Sequence, residues 1–248
     1  MKYALITGAS SGIGEATAKL LAREGYSLFL TGRNEANLKR VADACRAIHQ
    51  EEPHGDSRPP FHVHESSGDV AAEADCERLM RECLSHSQTI HAAILNAGIG
   101  RGTGALVDTT VAELDEVLRT NVRGVYLFLV RLMPVMRRQG HGQIVVTSSV
   151  KGIRAGPTGA IYCASKYAVE GLVASARCEL KGSGVKIGTV NPAGVATPWW
   201  EDRARGGWEP GAKDISKFLT ADDVAASIVM MCQQGDKSDI SRIVLENV

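Results

Sequence analysis

Three groups of residues have types and spacings suited to chemistry. The first is Gly8-Ala9-Ser10-Ser11-Gly12-Ile13-Gly14, which joins an apolar run to a helix-like stretch. Gly8 allows a tight turn, Gly12 a close approach of backbone to a pyrophosphate, and Gly14 close packing of helix on strand. The N–H groups at the helix start would then hold phosphates. The spacing is GxxxGxG rather than GxGxxG, so the position at the first strand-to-helix turn carries the reading. The second is Arg33, in Leu30-Thr31-Gly32-Arg33-Asn34. Dinucleotide sites often place a carboxylate here for the ribose 2′-hydroxyl. This chain has none, and a guanidinium suits a 2′-phosphate through bidentate contact. NADP(H) is therefore expected in preference to NAD(H). The third is Tyr162 with Lys166, four apart and so on one helix face. A free phenol, with pKa about 10, is a poor base at neutral pH. A cation ~4 Å away at an effective dielectric of ~20 contributes roughly 4 kcal/mol, or about 3 pKa units downward. Desolvation opposes part of this.

These groups need a frame. Strands are expected at Tyr3–Thr7, Ser27–Thr31, Phe61–Glu65, Ile90–Leu95, Gln143–Thr147, Val185–Val190 and Arg242–Leu245. Helix-period stretches lie between them at Gly14–Glu24, Asn34–His49, Ala71–Ser87, Val111–Gln139, Ile161–Lys181 and Ala221–Gln233, with Asp69 and Thr220 as expected caps. Runs such as Ile144-Val145-Val146 are apolar on both faces, as parallel strands covered on both sides require. Alternating strands and helices predict a doubly wound α/β fold, a Rossmann-like parallel sheet of seven strands with helices on both faces. No linker or repeat divides the chain, so residues 1–248 are expected to form a single domain.

Composition narrows the function classes. Twenty-eight basic residues balance 28 acidic ones among 248, which argues against a nucleic-acid partner. No apolar run reaches the ~18 residues of a membrane span, and Met1–Ile6 lacks a signal peptide's long apolar core. The six Cys form no CxxC pair, and reduced, mostly buried thiols in a cytoplasmic protein are expected. His62 and His64 share one strand face, but Pro53, Gly55, Pro59 and Pro60 mark a solvated loop before them, and no metal is assigned.

Thr7–Gly14, Asn96-Ala97-Gly98, Asn121, Ser149 and Tyr162-Cys163-Ala164-Ser165-Lys166, in this order and spacing, resemble the short-chain dehydrogenase/reductase family over essentially the whole chain. The resemblance implies that Tyr162 is the proton donor or acceptor and that Ser149 is its partner on the substrate oxygen. Ser149 is preferred to Ser148 because it lies thirteen residues before Tyr162. Lys166 would tune Tyr162 and hold the nicotinamide ribose, and Asn121 would support a water relay behind the lysine. Asp69-Val70 is similar to the pair flanking the adenine, and Asn96–Gly98 to the segment beside the cofactor. Ser10, Ser11, Gly12 and Ile13 belong to the phosphate turn, and Val195 and Thr197 would face the carboxamide. This chain reads Asn191-Pro192-Ala193-Gly194-Val195, whereas the family pattern has Gly before Ala. Glu170 is expected to meet solvent or a neighbouring chain.

The segment at about 197–219 holds all three Trp of the chain, Trp199, Trp200 and Trp208, with Glu201, Asp202, Arg203, Arg205 and Pro210. It reads as a substrate lid with aromatic anchors and a hinge at Gly206-Gly207. The resemblance implies a small-molecule alcohol or ketone substrate. It also implies pairing of the long helices across a two-fold axis, into a homodimer or homotetramer. Two other functions compete. A non-catalytic NADP(H)-binding regulator is marked by loss of Tyr162, Lys166 or Ser149, all of which are present. An epimerase or dehydratase of the extended relatives usually has a longer C-terminal region than one ending at Val248.

Overall fold

The computed structural model describes residues 2–51, 60–206, 209, 211 and 213–248, without the side chains of 203 and 204. Seven strands form one sheet in the order β3-β2-β1-β4-β5-β6-β7, with every pairing parallel. They are β1 Lys2–Thr7, β2 Tyr26–Gly32, β3 Val63–Ser67, β4 Ala92–Leu95, β5 Gly142–Thr147, β6 Val185–Pro192 and β7 Arg242–Leu245. The helices are α1 Gly12–Arg23, α2 Glu35–Glu51, α3 Glu73–His86, α4 Val111–Leu118, α5 Gly124–Gln139, α6 Ala160–Glu179, the single turn α7 Arg203–Gly206, and α8 Ala221–Cys232. This is the expected doubly wound Rossmann-like arrangement.

Alternation along the strands builds a core on each face of the sheet. Tyr3 and Leu5 of β1 join Leu79 of α3, Phe128 of α5 and Val169 of α6 on one side. Ala4 and Ile6 join Leu21 of α1, Leu38 of α2 and Ile228 of α8 on the other. Parallel strands need apolar residues on both faces for this reason. The chain order reverses between β1 and β4, and the crevice beyond their C-terminal ends is where such sheets bind ligands.

Several boundaries differ from expectation. β3 begins at Val63 rather than Phe61, whose ring stacks on His49 instead (centroids 3.9 Å apart). Thr220 caps α8 in a reciprocal box with Asp223. Asp69 does not cap α3; Ala72 holds that position without a side-chain bond, and Asp69 Oδ1 accepts from the Ala71 amide earlier in the loop. The Val111–Gln139 stretch is interrupted by a π turn at Arg119–Arg123, a local widening often found at functional sites. All six Cys are free, and four are buried. No helix among the described residues is long and apolar enough to cross a membrane.

Candidate functional site

The switch point is tied together by backbone and one hydroxyl. Thr7 Oγ1, at the end of β1, accepts from the amides of Asn96 (3.0 Å) and Ala97 (3.2 Å) after β4. Asn96 Nδ2 donates to Gly8 O at 3.2 Å. Gly8 has φ +66, and a Cβ there would lie 2.8 Å from Ala97 Cα. A Cβ on Gly14 would lie 2.2 Å from Gly8 O, so this glycine allows the first turn of α1 to sit directly on the strand end.

A cavity of about 650 Å³ opens over this floor, within the range of small-molecule and cofactor sites. Gly8, Ser10, Ser11, Gly12 and Ile13 line one end together with Arg33, Asp69 and Val70. Asn96, Ala97 and Gly98 line the middle, and Ser149, Tyr162, Lys166, Val195 and Thr197 the far end. Gly14 and Asn121 are not among the lining residues. A glycine turn packed too closely for side chains, at a helix start and beside an exposed arginine without an ion pair among the described residues, fits a dinucleotide cofactor.

At the far end, α6 presents Tyr162 and Lys166 on one face. The phenol is half-buried beside Ser149, whose hydroxyl acts to lower its pKa. Ser149 Oγ also donates to Pro192 O (3.3 Å) and accepts from the Lys151 amide (3.1 Å). Ser148 Oγ is buried with no partner among the described residues, so Ser149 is the serine that meets the phenol. Lys166 Nζ donates to Thr147 O at 2.9 Å and lies 5.6 Å from the centre of the Tyr162 ring. The electrostatics correct the sequence expectation. Burial pushes the Tyr162 phenol up to about 12, and the nearby Ser149 hydroxyl only partly offsets this. Burial likewise pushes Lys166 down to about 8, with Glu170 opposing. In the protein alone desolvation outweighs the expected lowering of Tyr162, because the ammonium is directed at a carbonyl rather than at the phenol oxygen.

Asn121 sits fully buried in the π turn. Its Oδ1 accepts from the Ile99 amide at 2.8 Å, and its Nδ2 donates to Ile99 O (2.8 Å) and Ser165 Oγ (3.0 Å). The side chain therefore clamps the strand-β4 loop to α6, next to Gly98, whose missing Cβ would meet Asn121 Oδ1 at 3.3 Å.

The family model for short chain dehydrogenases matches residues 2–206. The chain belongs to the short-chain dehydrogenase/reductase family of oxidoreductases. An uncharacterized oxidoreductase of Staphylococcus epidermidis is 29% identical over 247 residues, covering 100% of this chain and 97% of its own. An alcohol dehydrogenase of Thermococcus sibiricus, solved with 5-hydroxy-NADP, superposes with TM-score 0.85 at 28% identity, covering 100% of this chain and 97% of that one. A 3-ketoacyl-(acyl-carrier-protein) reductase of Brucella melitensis, solved with NADH, gives 0.83 at 26%, covering 99% and 96%.

Two residues singled out in the sequence are explained by their neighbours. The exchanged pair Ala193-Gly194 has a packing reason: a Cβ on Gly194 would lie 3.0 Å from the ring of Phe218. Glu170 contradicts the expectation of solvent or a neighbouring chain. Its carboxylate accepts from Asn191 Nδ2 at 2.7 Å, Thr189 Oγ1 at 3.3 Å and Arg242 Nη2 at 2.7 Å, all within the chain.

The segment after β6 leaves and returns at one place, where Val195 bridges Leu219. Its two described Trp do different things. Trp199 meets Tyr162 edge-on (centroids 5.8 Å, 69°) and covers Gly100, where a Cβ would lie 2.3 Å from its ring. Trp200 turns away, donating from Nε1 to Val195 O at 2.8 Å and packing on Phe218. Trp208, Gly207 and Pro210 lie outside the described residues. Sequence reasoning also missed Thr7 as the tie between β1 and β4, although a hydroxyl directly before Gly8 was a visible cue.

Proposed function

We propose that the protein is an NADP(H)-preferring oxidoreductase that moves hydride between nicotinamide and the carbon of a carbonyl or secondary alcohol. The observation that carries this is the convergence of Ser149, Tyr162 and Lys166 on one end of a cavity whose other end is the glycine turn and Arg33. Gly8–Ile13 would hold the pyrophosphate, Asp69 and Val70 the adenine side, Asn96–Gly98 the middle, and Val195 and Thr197 the carboxamide. The preference for NADP(H) rests on Arg33, which has no competing carboxylate within the turn after β2. Bound nicotinamide supplies the hydride chemistry.

The protein's part is to place an oxygen and handle its proton. Ser149 donates a hydrogen bond to the substrate oxygen, which steadies charge that develops there. Tyr162, protonated through the neutral range with its pKa at about 12, gives its proton to that oxygen in reduction. In oxidation the same phenol must accept the proton, so oxidation gains as pH rises. Lys166 stands behind the phenol and takes the ribose side, and Asn121 fixes the loop against α6. The same reading makes residues 1–248 one domain with a substrate lid at about 197–219. It also places the protein in the cytoplasm and pairs protomers through the faces carrying Tyr126 (50% exposed) and Tyr167 (46%).

Tyr162→Phe tests the assignment. Turnover is expected to fall by at least about tenfold while cofactor binding, followed by fluorescence titration, is nearly unchanged. A variant that keeps its rate contradicts the role.

A further inference from the structure

Arg205 lies in α7, nearly two hundred residues from the glycine turn, yet its guanidinium reaches that turn. Nη1 donates to Ser11 Oγ at 2.6 Å, and Nε pairs with Asp202 at 3.0 Å. Its carbonyl accepts from the Gly100 amide at 2.6 Å, which fixes the backbone of α7 over the cavity. Ser11 immediately precedes α1, with extended backbone, and its hydroxyl makes no bond to the amides of the helix. A serine in that position commonly turns its oxygen onto those amides. Here the oxygen faces the cavity and takes the arginine.

That placement suits an anion. The N-terminus of the twelve-residue α1 carries partial positive charge, and the Asp202 carboxylate meets the guanidinium at Nε, so the fork and the helix end face the cavity together. Nη2 has no acceptor among the described residues, and both Ser11 and Arg205 line the cavity. Arginine offers five donors in a planar fork matched to phosphate oxygens.

We propose that Arg205 is a binding residue for the cofactor's pyrophosphate, reaching across from the segment that covers the substrate end. The proposal rests on the dinucleotide reading above. The amides of the glycine turn would hold the phosphates from below and Arg205 from above. Filling the phosphate site would then hold α7, and with it Trp199, over Tyr162.

Calorimetric titration with ADP and with adenosine 2′-monophosphate separates the two phosphate positions. Arg205→Ala is expected to weaken ADP roughly 10- to 100-fold, the range of a lost charged hydrogen bond, and to leave the 2′-monophosphate unchanged. Arg33→Ala is expected to lose the 2′-monophosphate and spare ADP. Because every Trp lies between 199 and 208, tryptophan emission reports this segment alone. ADP should shift it in the wild type and in Arg205→Lys, and not in Arg205→Ala. Retained 2′-monophosphate binding shows that the variant is folded. Unchanged ADP affinity in Arg205→Ala, or equal loss of both ligands, overturns the proposal. Failure of the wild type to bind either ligand overturns the dinucleotide reading, and the proposal with it.

Discussion

The two ends of the cavity are built by different means. The glycine turn is held by backbone contacts that leave no room for a side chain: a Cβ on Gly14 would sit 2.2 Å from Gly8 O. The segment over Tyr162 is instead held at its base by Val195 and Leu219, and farther out by the Gly100–Arg205 backbone bond together with side chains such as Trp200 and Arg205. A floor fixed by backbone tolerates no substitution and suits a part of the ligand that never varies. A cover fixed in part by side chains can change without disturbing the floor, which suits a part that differs between substrates. This difference also explains why the glycine turn identifies the family while the cover does not name a substrate.

Substitutions that strike the two ends separately break or sharpen this contrast. The largest effect on the fold is expected from Gly14→Ala, where overpacking against backbone costs roughly 1–3 kcal/mol. That corresponds to a fall in Tm of about 2–12 °C in calorimetry. An unchanged Tm would mean the floor yields. Next, Arg33→Ala should weaken NADPH by about 10- to 100-fold and NADH hardly at all, measured by fluorescence titration. Equal losses would reduce Arg33 to a surface charge. On the cover, Trp199→Ala should raise KM for substrate while leaving NADPH affinity within about twofold, because its ring meets Tyr162 and Gly100. Trp200→Ala should instead loosen the segment at its base and make it more sensitive to proteolysis. If the two variants behave alike, the division of labour between the rings is wrong.

A pH dependence bears on the catalytic end alone. Lys166 is lowered from 10.5 to about 8, so from about pH 8 to 10.5 the unfolded chain holds a proton that the folded one has lost. Stability contributed by this site therefore rises with pH across that window. Urea unfolding of wild type and Lys166→Met should show the wild type gaining on the variant between pH 8 and 10. Parallel profiles would mean that the lysine is not desolvated.

What was legible in the sequence was local. The turn at Gly8–Gly14 and the pair Tyr162–Lys166 are set by spacing along one strand end or one helix, and the structure brings them together as expected. Thr220, followed by Asp223, announces its own cap. What was not legible depends on groups distant in sequence. Asp69 looks like a cap, but its Oδ1 accepts from the Ala71 amide and its own amide donates to Asp75 Oδ2, so it lies short of the helix start. Glu170 looks solvent-bound until β6 and β7 bring Asn191 and Arg242 to it. The π turn at Arg119–Arg123 is hidden in a continuous apolar helix pattern, because the demand for it comes from Ile99 and Ser165, which bond to Asn121. The direction of the Tyr162 shift was misjudged because four residues of spacing fix a helix face and not where the lysine's ammonium points.

The central claim is that the far end of the cavity transfers hydride with Tyr162 as its acid or base. Nicotinamide absorbance, followed with NADPH and NADH over a panel of ketones and with NADP⁺ and NAD⁺ over the matching alcohols, tests it most directly. Turnover of at least one pair by the wild type, faster with the phosphorylated cofactor, is the predicted result. Tight cofactor binding with no turnover of any carbonyl or alcohol would contradict it and leave a cofactor-binding regulator in its place.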